Sequence, residues 1–474
     1  MLEAALHENS PRWRRRKTPV NSLLIHGAVL AVWLGLVLSA FIGHGLAGWS
    51  VGIIYIGYDT VLLAFTFWQS FPLRHTPPPP AVSQNRPTLA VIVAAYNEEL
   101  VLEHTISALM AQSEPPDEIF VADDGSTDGT ATLLQTKYSL NRPELGGVSA
   151  PSPILPALRW LRAAHGGKAR TLNQAILHVQ SELMLTVDAD TALDQNAIAA
   201  MRDAFAATPG LVAATGVLSP ACDASLEGRF FEWFQTYEYV RNFLGRYAWA
   251  RMDSLLLISG AFAGFRRDAV VTVGGFDPDC MVEDYELIHR LRRYGYDHGL
   301  DWHSTALGAA RAKTSAPGTI PGFLRQRRRW FGGFLQTQLW YRDMVGAAKY
   351  RRLGTWMLPV KAIDTMQPIY GLFAFFLLLW YLCTGEWRVL VPVGGVILGK
   401  ICLDLAFHIW SIRIYRNWVG GHTRVRFSLA VLAAIAEPFS FQLFRHFGAT
   451  LGWVSFLTGQ RKWGTSRRAA PKAA

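Results

Sequence analysis

The chain has 474 residues, half of them hydrophobic, and carries a formal charge of +10. That length holds a large core and two or three structural regions. In a soluble protein such a surplus of Lys and Arg would suggest nucleic acid. Here it lies largely beside long apolar runs, which argues for a membrane surface and against a nucleic-acid partner. The cysteines Cys222, Cys280, Cys383 and Cys402 make no CxxC pair and no zinc spacing, so they read as reduced and structural.

Along the chain, RWRRRK (Arg12 to Lys17) precedes an apolar run from Ser22 to Ile42, and a second run follows from Val51 to Phe71. A basic stretch before one apolar run also describes a secretory signal, but this run is long enough to span a bilayer and its companion follows at once. No Lys or Arg occurs between Lys17 and Arg74, so two spanning helices with both outer ends cytoplasmic satisfy the positive-inside rule. Residues 1–74 are therefore a cytoplasmic tail and two membrane helices. Residues 75–87, with Pro77 to Pro80, read as a stiff linker.

Three apolar strands then end in polar loops: LAVIVAAYNEE (Leu89 to Glu99), EIFVADDGSTDGT (Glu118 to Thr130) and LMLTVDADT (Leu183 to Thr191). Strand and helix alternate, which implies a mostly parallel sheet with its ligand site at the carboxyl ends of the strands. DDGSTDG alone is an Asx turn with a helix cap; two acidic strand ends in one sheet point instead to a nucleotide site. Between them, GGKARTLNQAI (Gly166 to Ile176) puts Lys168 at a helix start, a place suited to a phosphate. Asp188 and Asp190 alternate on an extended segment, and two hard oxygen ligands are what Mg2+ or Mn2+ takes when it bridges a diphosphate.

Further on, FFEWFQTYEYVRNFLGRYAWAR (Phe230 to Arg251) has aromatic residues at helical spacing, which suits a helix under the membrane as well as an acceptor surface. A Gly-Gly turn (Gly274, Gly275) leads to Val282-Glu283-Asp284. Some forty residues later come Gln326-Arg327-Arg328-Arg329-Trp330. A guanidinium beside an indole suits a sugar ring and its phosphate, although a basic aromatic helix face by itself is an interfacial surface.

The ordered set AAYNEE, ADDGSTDG, GGKARTLN, DAD, VED and QRRRW resembles the membrane-embedded processive synthases of glycosyltransferase family 2, which make cellulose, chitin, hyaluronan and poly-N-acetylglucosamine. The resemblance covers Thr88 to Phe334. It implies an α/β fold: a cytosolic GT-A domain with a Rossmann-like, mostly parallel sheet over 88–322, flanked by transmembrane α-helices, with interfacial helices over 323–352 and a membrane region with a basic tail over 353–474. Carried over by position, Ala95, Tyr96 and Glu98 would line the nucleotide pocket, Asp124 would bind the uridine, and Lys168 would lie near the diphosphate. Asp188 would contact the nucleotide and Asp190 would hold Mg2+ or Mn2+. Asp284 would be the general base, with Glu283 beside it in the catalytic motif. Ser259 and Gly260 would lie nearest the growing chain, and Gln326, Arg329 and Trp330 would close over the donor diphosphate and the acceptor end. The chain departs from the pattern in two places. Many relatives have a proline before the aromatic of AAYNEE, and the usual Thr-Glu-Asp is here Val282-Glu283-Asp284, which keeps both acids.

Chemistry agrees with these roles. Inverting glycosyl transfer needs one base for the acceptor hydroxyl and cations for the leaving diphosphate, whereas hydrolases use a carboxylate pair. The resemblance implies a multi-pass inner-membrane enzyme with a cytoplasmic catalytic domain. Its partners would be a nucleotide-sugar donor, a growing polysaccharide, the bilayer, and small membrane or periplasmic accessory subunits. UDP-N-acetylglucosamine is the expected donor. UDP-glucose, GDP-mannose and single addition to a lipid carrier are alternatives, and a nucleotide-sensing receptor is one of a different class. No cyclic-dinucleotide-binding module is expected after the tail. In the C-terminal half, Met357 to Tyr370 is expected to be interfacial, Gly371 to Cys383 and Val389 to Trp410 to span, and Arg413 to Arg426 to form a cytoplasmic loop. Phe427 to Leu457 is long for one crossing and short for two. Asp59, Asp404, Glu437 and Arg445 interrupt apolar runs, which suggests a polar path or structural ion pairs.

Overall fold

The computed structural model describes residues 1–43, 45–75, 86–420 and 426–459. The proline run Pro77 to Pro80 and the basic tail from Arg461 lie outside them. The chain opens with α1 (Leu2–Asn9), then α2 (Val20–Ile42) and α3 (Ser50–Ser70). The short loop between the last two has no room for a domain, so they form an antiparallel hairpin.

The sheet has eight strands: β1 (Leu89–Ala95), β2 (Glu118–Asp123), β3 (Leu158–Arg162), β4 (Leu183–Asp188), β5 (Thr191–Leu193), β6 (Leu211–Ala221), β7 (Phe262–Arg266) and β8 (His303–Ser315). Their order is β3-β2-β1-β4-β7-β6-β8-β5. The first four run parallel; β7 is antiparallel to both β4 and β6, β6 runs parallel to β8, and β5 is antiparallel to β8. Strands β1 and β4 are buried on both faces, as their unbroken apolar sequences require. The first helices of this domain are α4 (Leu102–Met110), α5 (Thr130–Tyr138), α6 (Lys168–Ile176) and α7 (Ala197–Ala207). They are followed by α8 (Leu226–Arg251), α9 (Arg267–Val273), α10 (Glu283–Asp297) and α11 (Ile320–Trp340). Helix α8 takes up the aromatic run. Its buried face packs into the same core as the sheet, with Phe234 stacked on Phe441 at 5.2 Å.

The remaining helices are α12 (Leu358–Asp364), α13 (Gln367–Thr384), α14 (Trp387–Trp418), α15 (Phe427–Ala436) and α16 (Phe441–Leu457). Among the described residues, four stretches are helical, long and apolar enough to cross a membrane: Val20–Ile42, Leu46–Arg74, Leu353–Thr384 and Trp387–Trp418. The interfacial segment expected around Met357 is thus continuous with the crossing that follows it. The loop expected from Arg413 begins later, because α14 stays helical to Trp418. Arg413 and Arg416 are held there by burial of Ile412, Ile414, Tyr415 and Trp418 on the opposite face. The pair α15 and α16 is bent by 50° at Ser440, just after the short helical turn Glu437–Phe439, which accounts for its awkward length.

The intramembrane charges pair with one another. Lys400 Nζ lies 2.6 Å from Asp59 Oδ2 and also meets Asp404. Glu437 is buried and paired with Arg241, with Arg445 at 3.9 Å. They face partners within the fold, as charges in a low-dielectric region must.

The N-terminal segment is part of the sheet domain's surface. Leu2 and Leu6 are buried, and a Cβ on Gly274 (φ +95) would collide with the backbone of Leu6. Asn9 donates to Thr272 O at 3.2 Å. Arg12 pairs with both Asp277, at 3.3 Å, and Asp279. Helix α1 therefore seals the Gly-Gly turn that leads to Val282-Glu283-Asp284.

Candidate active site

The strand-end loops are stitched together by polar side chains. Asn97 adopts a left-handed conformation (φ 56), and its Oδ1 accepts from Thr127 N at 2.8 Å. Glu99 accepts from Gly129 N at 3.0 Å, while Glu98 N–H donates to Thr130 Oγ1 at 3.2 Å. These bonds join AAYNEE to DDGSTDG. Ala95 is buried at the end of β1, and its carbonyl accepts from Asp124 N at 2.9 Å. Tyr96 stacks on His165 with ring centroids 4.4 Å apart.

Asp124 has a second task that sequence reading missed. Its carboxylate accepts from Gly166 N at 2.9 Å, Gly167 N at 3.0 and 3.1 Å, Thr171 Oγ1 at 2.8 Å, and His165 Nδ1 at 3.0 Å. It caps the loop and first turn of α6, where free N–H groups favour a negative partner. That cap aims Lys168 across the sheet. Lys168 Nζ pairs with Asp188 and donates to Gly260 O at 3.3 Å. Burial lowers the basicity of Lys168, but Asp188, Glu283 and Asp284 together outweigh it and raise the pKa above its ordinary value. Asp190 is buried at the turn after β4, and its carbonyl accepts from Ser315 N at 3.3 Å.

On the other side of Gly260 stands Asp284, whose Oδ2 accepts Gly260 N–H at 2.7 Å. A Cβ on Gly260 would lie 2.9 Å from that oxygen, so glycine is what lets the carboxylate approach. Ser259 is anchored through its N–H to Thr215 Oγ1 at 3.3 Å. Glu283 sits above its ordinary pKa because it is buried and lies beside Asp284, with Lys168 and Arg329 pulling the other way. Asp188, Lys168, Gly260, Asp284 and Glu283 thus form one connected group at the carboxyl end of the sheet.

The QRRRW segment lies on α11, directly over the Val282 turn. A Cβ on Gly333 would fall 2.5 Å from Val282 Cγ2, so the Val282 side chain packs directly on the Gly333 backbone. Arg327 is buried and forked onto Glu238 of α8, with Nη1 to Oε1 at 2.9 Å and Nη2 to Oε2 at 2.6 Å. Its guanidinium lies 4.6 Å from the ring of Trp330 and 4.6 Å from that of Phe323. The side-chain amide oxygen Oε1 of Gln326 is buried without a hydrogen-bond partner.

One further residue belongs with this group. Arg246 of α8 has Nε and Nη1 buried with no hydrogen-bond partner. Burial pulls its guanidinium down to about 10, against the charges of Tyr239 and Asp284. A shielded cation with two idle donors, within the electrostatic reach of Asp284, fits a place for ligand oxygens. Its only trace in the sequence is a basic residue on the inward face of an aromatic helix.

His289, one turn beyond Tyr285, makes the site acid-sensitive. It is packed between Tyr285 and Tyr341, at 4.4 and 5.0 Å, and burial lowers its pKa from 6.5 to about 4. The unfolded chain therefore binds more protons between those values. The associated stability is present above pH 6.5 and lost as pH falls toward 4, amounting to roughly 3 kcal/mol. In a thermal-unfolding series over that range, His289→Phe is expected to flatten the acid decline. An unchanged slope would assign the decline to other groups.

Comparison with known proteins places the fold. A family model for glycosyl transferase family 2 matches residues 90–274, and one for glycosyl transferase family group 2 matches residues 183–399. The chain is 26% identical over 287 residues to a poly-beta-1,6-N-acetyl-D-glucosamine synthase of Staphylococcus epidermidis. It is 29% identical over 284 residues to the enzyme of that name from Staphylococcus aureus (strain COL). Both alignments cover 60% of this chain and 62% of the relative, so the chain spans about three fifths of the length of these curated relatives. A mannosyltransferase of Pyrobaculum calidifontis, solved in complex with GDP-Man and Mn2+, matches with a TM-score of 0.53 at 19% identity, over 82% of this chain and 99% of that one. It shares the fold, a GT-A sheet with flanking helices. Taken together, the two overlapping family models run from residue 90 to residue 399, and over that stretch the chain is similar to the glycosyl transferases of family 2.

Proposed function

We propose that this protein is an inverting, membrane-embedded glycosyltransferase that extends a β-linked polysaccharide from a nucleotide sugar, with UDP-N-acetylglucosamine as donor. The observation that carries the reading is the chain of contacts from Asp188 through Lys168 and Gly260 to Asp284. It sets a cation on the donor side and a carboxylate on the acceptor side of one backbone glycine. The relatives named for poly-beta-1,6-N-acetyl-D-glucosamine synthesis favour the sugar.

In the reaction, Tyr96, Glu98 and the Asp124-capped loop hold the nucleotide. Lys168 and Arg329 lie toward the diphosphate, with Gln326 beside them. Asp284 takes the proton of the acceptor hydroxyl as its oxygen bonds to the sugar C1. The bond from C1 to the diphosphate breaks with its electron pair leaving on the diphosphate, and C1 inverts. Glu283, buried beside Asp284, is more easily protonated than a free carboxyl. Trp330 offers a face on which the acceptor sugar stacks, next to Ser259 and Gly260. The paired charges around Arg241, Glu437 and Lys400 suit a polar route for the polymer into the membrane region.

The donor set at β4 fits a hard divalent cation. Among the described residues no group of three His, Cys, Asp or Glu side chains gathers to cage a metal. Asp188 and Asp190 are the hard carboxylates at hand, and Mg2+ keeps waters and substrate phosphates for its other positions. Asp190 would hold Mg2+ or Mn2+, with Asp188 turned to the nucleotide. The cation would supply Lewis-acid stabilisation of the departing diphosphate. Asp190→Ala is expected to lose metal-dependent UDP binding along with turnover, measured by calorimetry with and without EDTA. Full activity in EDTA would remove the metal role.

The reading as a whole is tested by giving purified protein UDP-N-acetylglucosamine, UDP-glucose and GDP-mannose in turn. Release of UDP or GDP and the polymer formed are then measured together. Release without polymer from every donor would favour single addition to a lipid carrier.

A further inference from the structure

A cleft separate from the active site opens between α3 and α14, with a volume of about 470 Å³. Its lining is Phe67 and Arg74 from the end of the first crossing pair, with Ala406, Ile409, Trp410, Arg413 and Ile414 from α14. The cleft lies on the side of the membrane region that carries the sheet domain. Asn417 ties the two elements together by donating to Leu73 O at 3.2 Å and Arg74 O at 2.9 Å. One residue on, Trp418 packs so tightly on β8 that a Cβ at Gly308 would lie 2.5 Å from its carbonyl oxygen. The cleft is thus at the depth where acyl chains give way to headgroups.

Its chemistry is divided in the same way. Phe67, Ala406, Ile409 and Ile414 form an apolar wall. Trp410 stands between, its ring 4.6 Å from Phe67 and stacked on Phe71 at 5.7 Å. Two guanidiniums, Arg74 and Arg413, close the polar end, and among the described residues no carboxylate stands in the lining. Arg74 lies over Phe71 at 4.5 Å and spends its Nε–H on His75. Independently, the indole N–H of Trp410 is buried and has no hydrogen-bond partner. A shielded donor costs free energy until it finds an acceptor. Two cations and an idle N–H beside an apolar wall match an ester phosphate carried on acyl chains.

We propose that this cleft binds the phosphate of an anionic membrane phospholipid, with Arg74 and Arg413 as the ionic contacts, the Trp410 N–H as the third donor, and one acyl chain along Phe67 and Ile409. The bound lipid would fill the joint between the first crossing pair and α14, close to where α14 meets β8. The same donors also suit a soluble phosphate, so the test separates the two sources.

Full-length protein, delipidated in detergent, is titrated with phosphatidylglycerol, phosphatidylcholine or inorganic phosphate, and the first adduct is followed by native mass spectrometry. Phosphatidylglycerol is expected to bind at least tenfold more tightly than the other two. Arg74→Ala/Arg413→Ala should weaken it on the order of tenfold or more, and Arg74→Lys/Arg413→Lys should restore most of the loss. Trp410→Phe keeps the ring and removes the donor, and should weaken binding about fivefold. Equal affinity for phosphatidylcholine, or for inorganic phosphate, would overturn the lipid assignment. Unchanged phosphatidylglycerol affinity in the double Ala variant would overturn the site. If that variant does not insert, Trp410→Phe decides: unchanged affinity there overturns the proposal.

Discussion

Asp284→Asn is expected to bind UDP with nearly unchanged affinity and to form no detectable polymer. The amide is isosteric and can still accept the Gly260 N–H that positions the carboxylate at 2.7 Å, so the loop and the donor side should stay in place. What disappears is the proton acceptor, and a positioned base contributes about a hundred- to ten-thousand-fold to rate. Radiolabelled donor reports turnover and polymer, and UDP calorimetry reports the site. Trp330→Ala provides the contrast, since water can replace a sugar that no longer stacks and slow donor hydrolysis survives. Near wild-type polymerisation by Asp284→Asn would remove Asp284 as the base. Full-length polymer from Trp330→Ala would reduce the QRRRW segment to an anchor.

Glu238→Ala should be strongly destabilising, costing about 3–5 kcal/mol. Glu238 and Arg327 are 2% and 4% exposed at their side chains, and the pair is a double hydrogen bond. Around it stand Arg241, Arg327 and Arg445, balanced by Glu238 and Glu437. Removing Glu238 leaves three guanidiniums to one carboxylate in a place with little water. Arg327 also lies against Trp330, so the indole should lose its orientation as well, shortening the polymer. Replacing both partners, as in Glu238→Leu/Arg327→Met, removes the stranded charge and should recover much of the stability while the polymer stays short. Thermal unfolding and polymer sizing separate the two effects. A loss below about 1 kcal/mol in Glu238→Ala would mean that water reaches the pair.

How much of this was legible in the sequence follows from how far each feature reaches along the chain. The parallel strands and their acidic ends are local patterns, so β1, β2 and β4 and the position of Lys168 at a helix start could be read directly. The meeting of Lys168, Gly260 and Asp284 was accessible only through the family resemblance, because their separations of 92 and 24 residues leave no periodic trace. The cap that Asp124 places on the Gly166-Gly167 loop was missed, since a carboxylate assigned to a ligand gives no sign that backbone N–H groups already claim it. Glu238 and Arg246 lay inside an aromatic run whose helical spacing was clear but whose inward face was not. The length of α14 was misjudged for a related reason: Arg413 and Arg416 suggested a loop, while burial of the residues between and around them keeps the helix going.

The docking of α1 on α9 also constrains how the chain can thread the bilayer. Asn9 and Thr272 touch although they are 263 positions apart in the chain, and the α2–α3 hairpin lies between them. Two segments in contact occupy one compartment, so the number of crossings between them must be even. Insertion of α2 without α3, or translocation of the N-terminal tail, would strand α1 on the far side from its seat. In synthesis order, α1 emerges long before α9 exists and has to wait as an undocked amphipathic stub at the membrane surface. Its arrival on the Gly274 turn is therefore a late event, a latch that closes only after the hairpin has inserted and the sheet has folded.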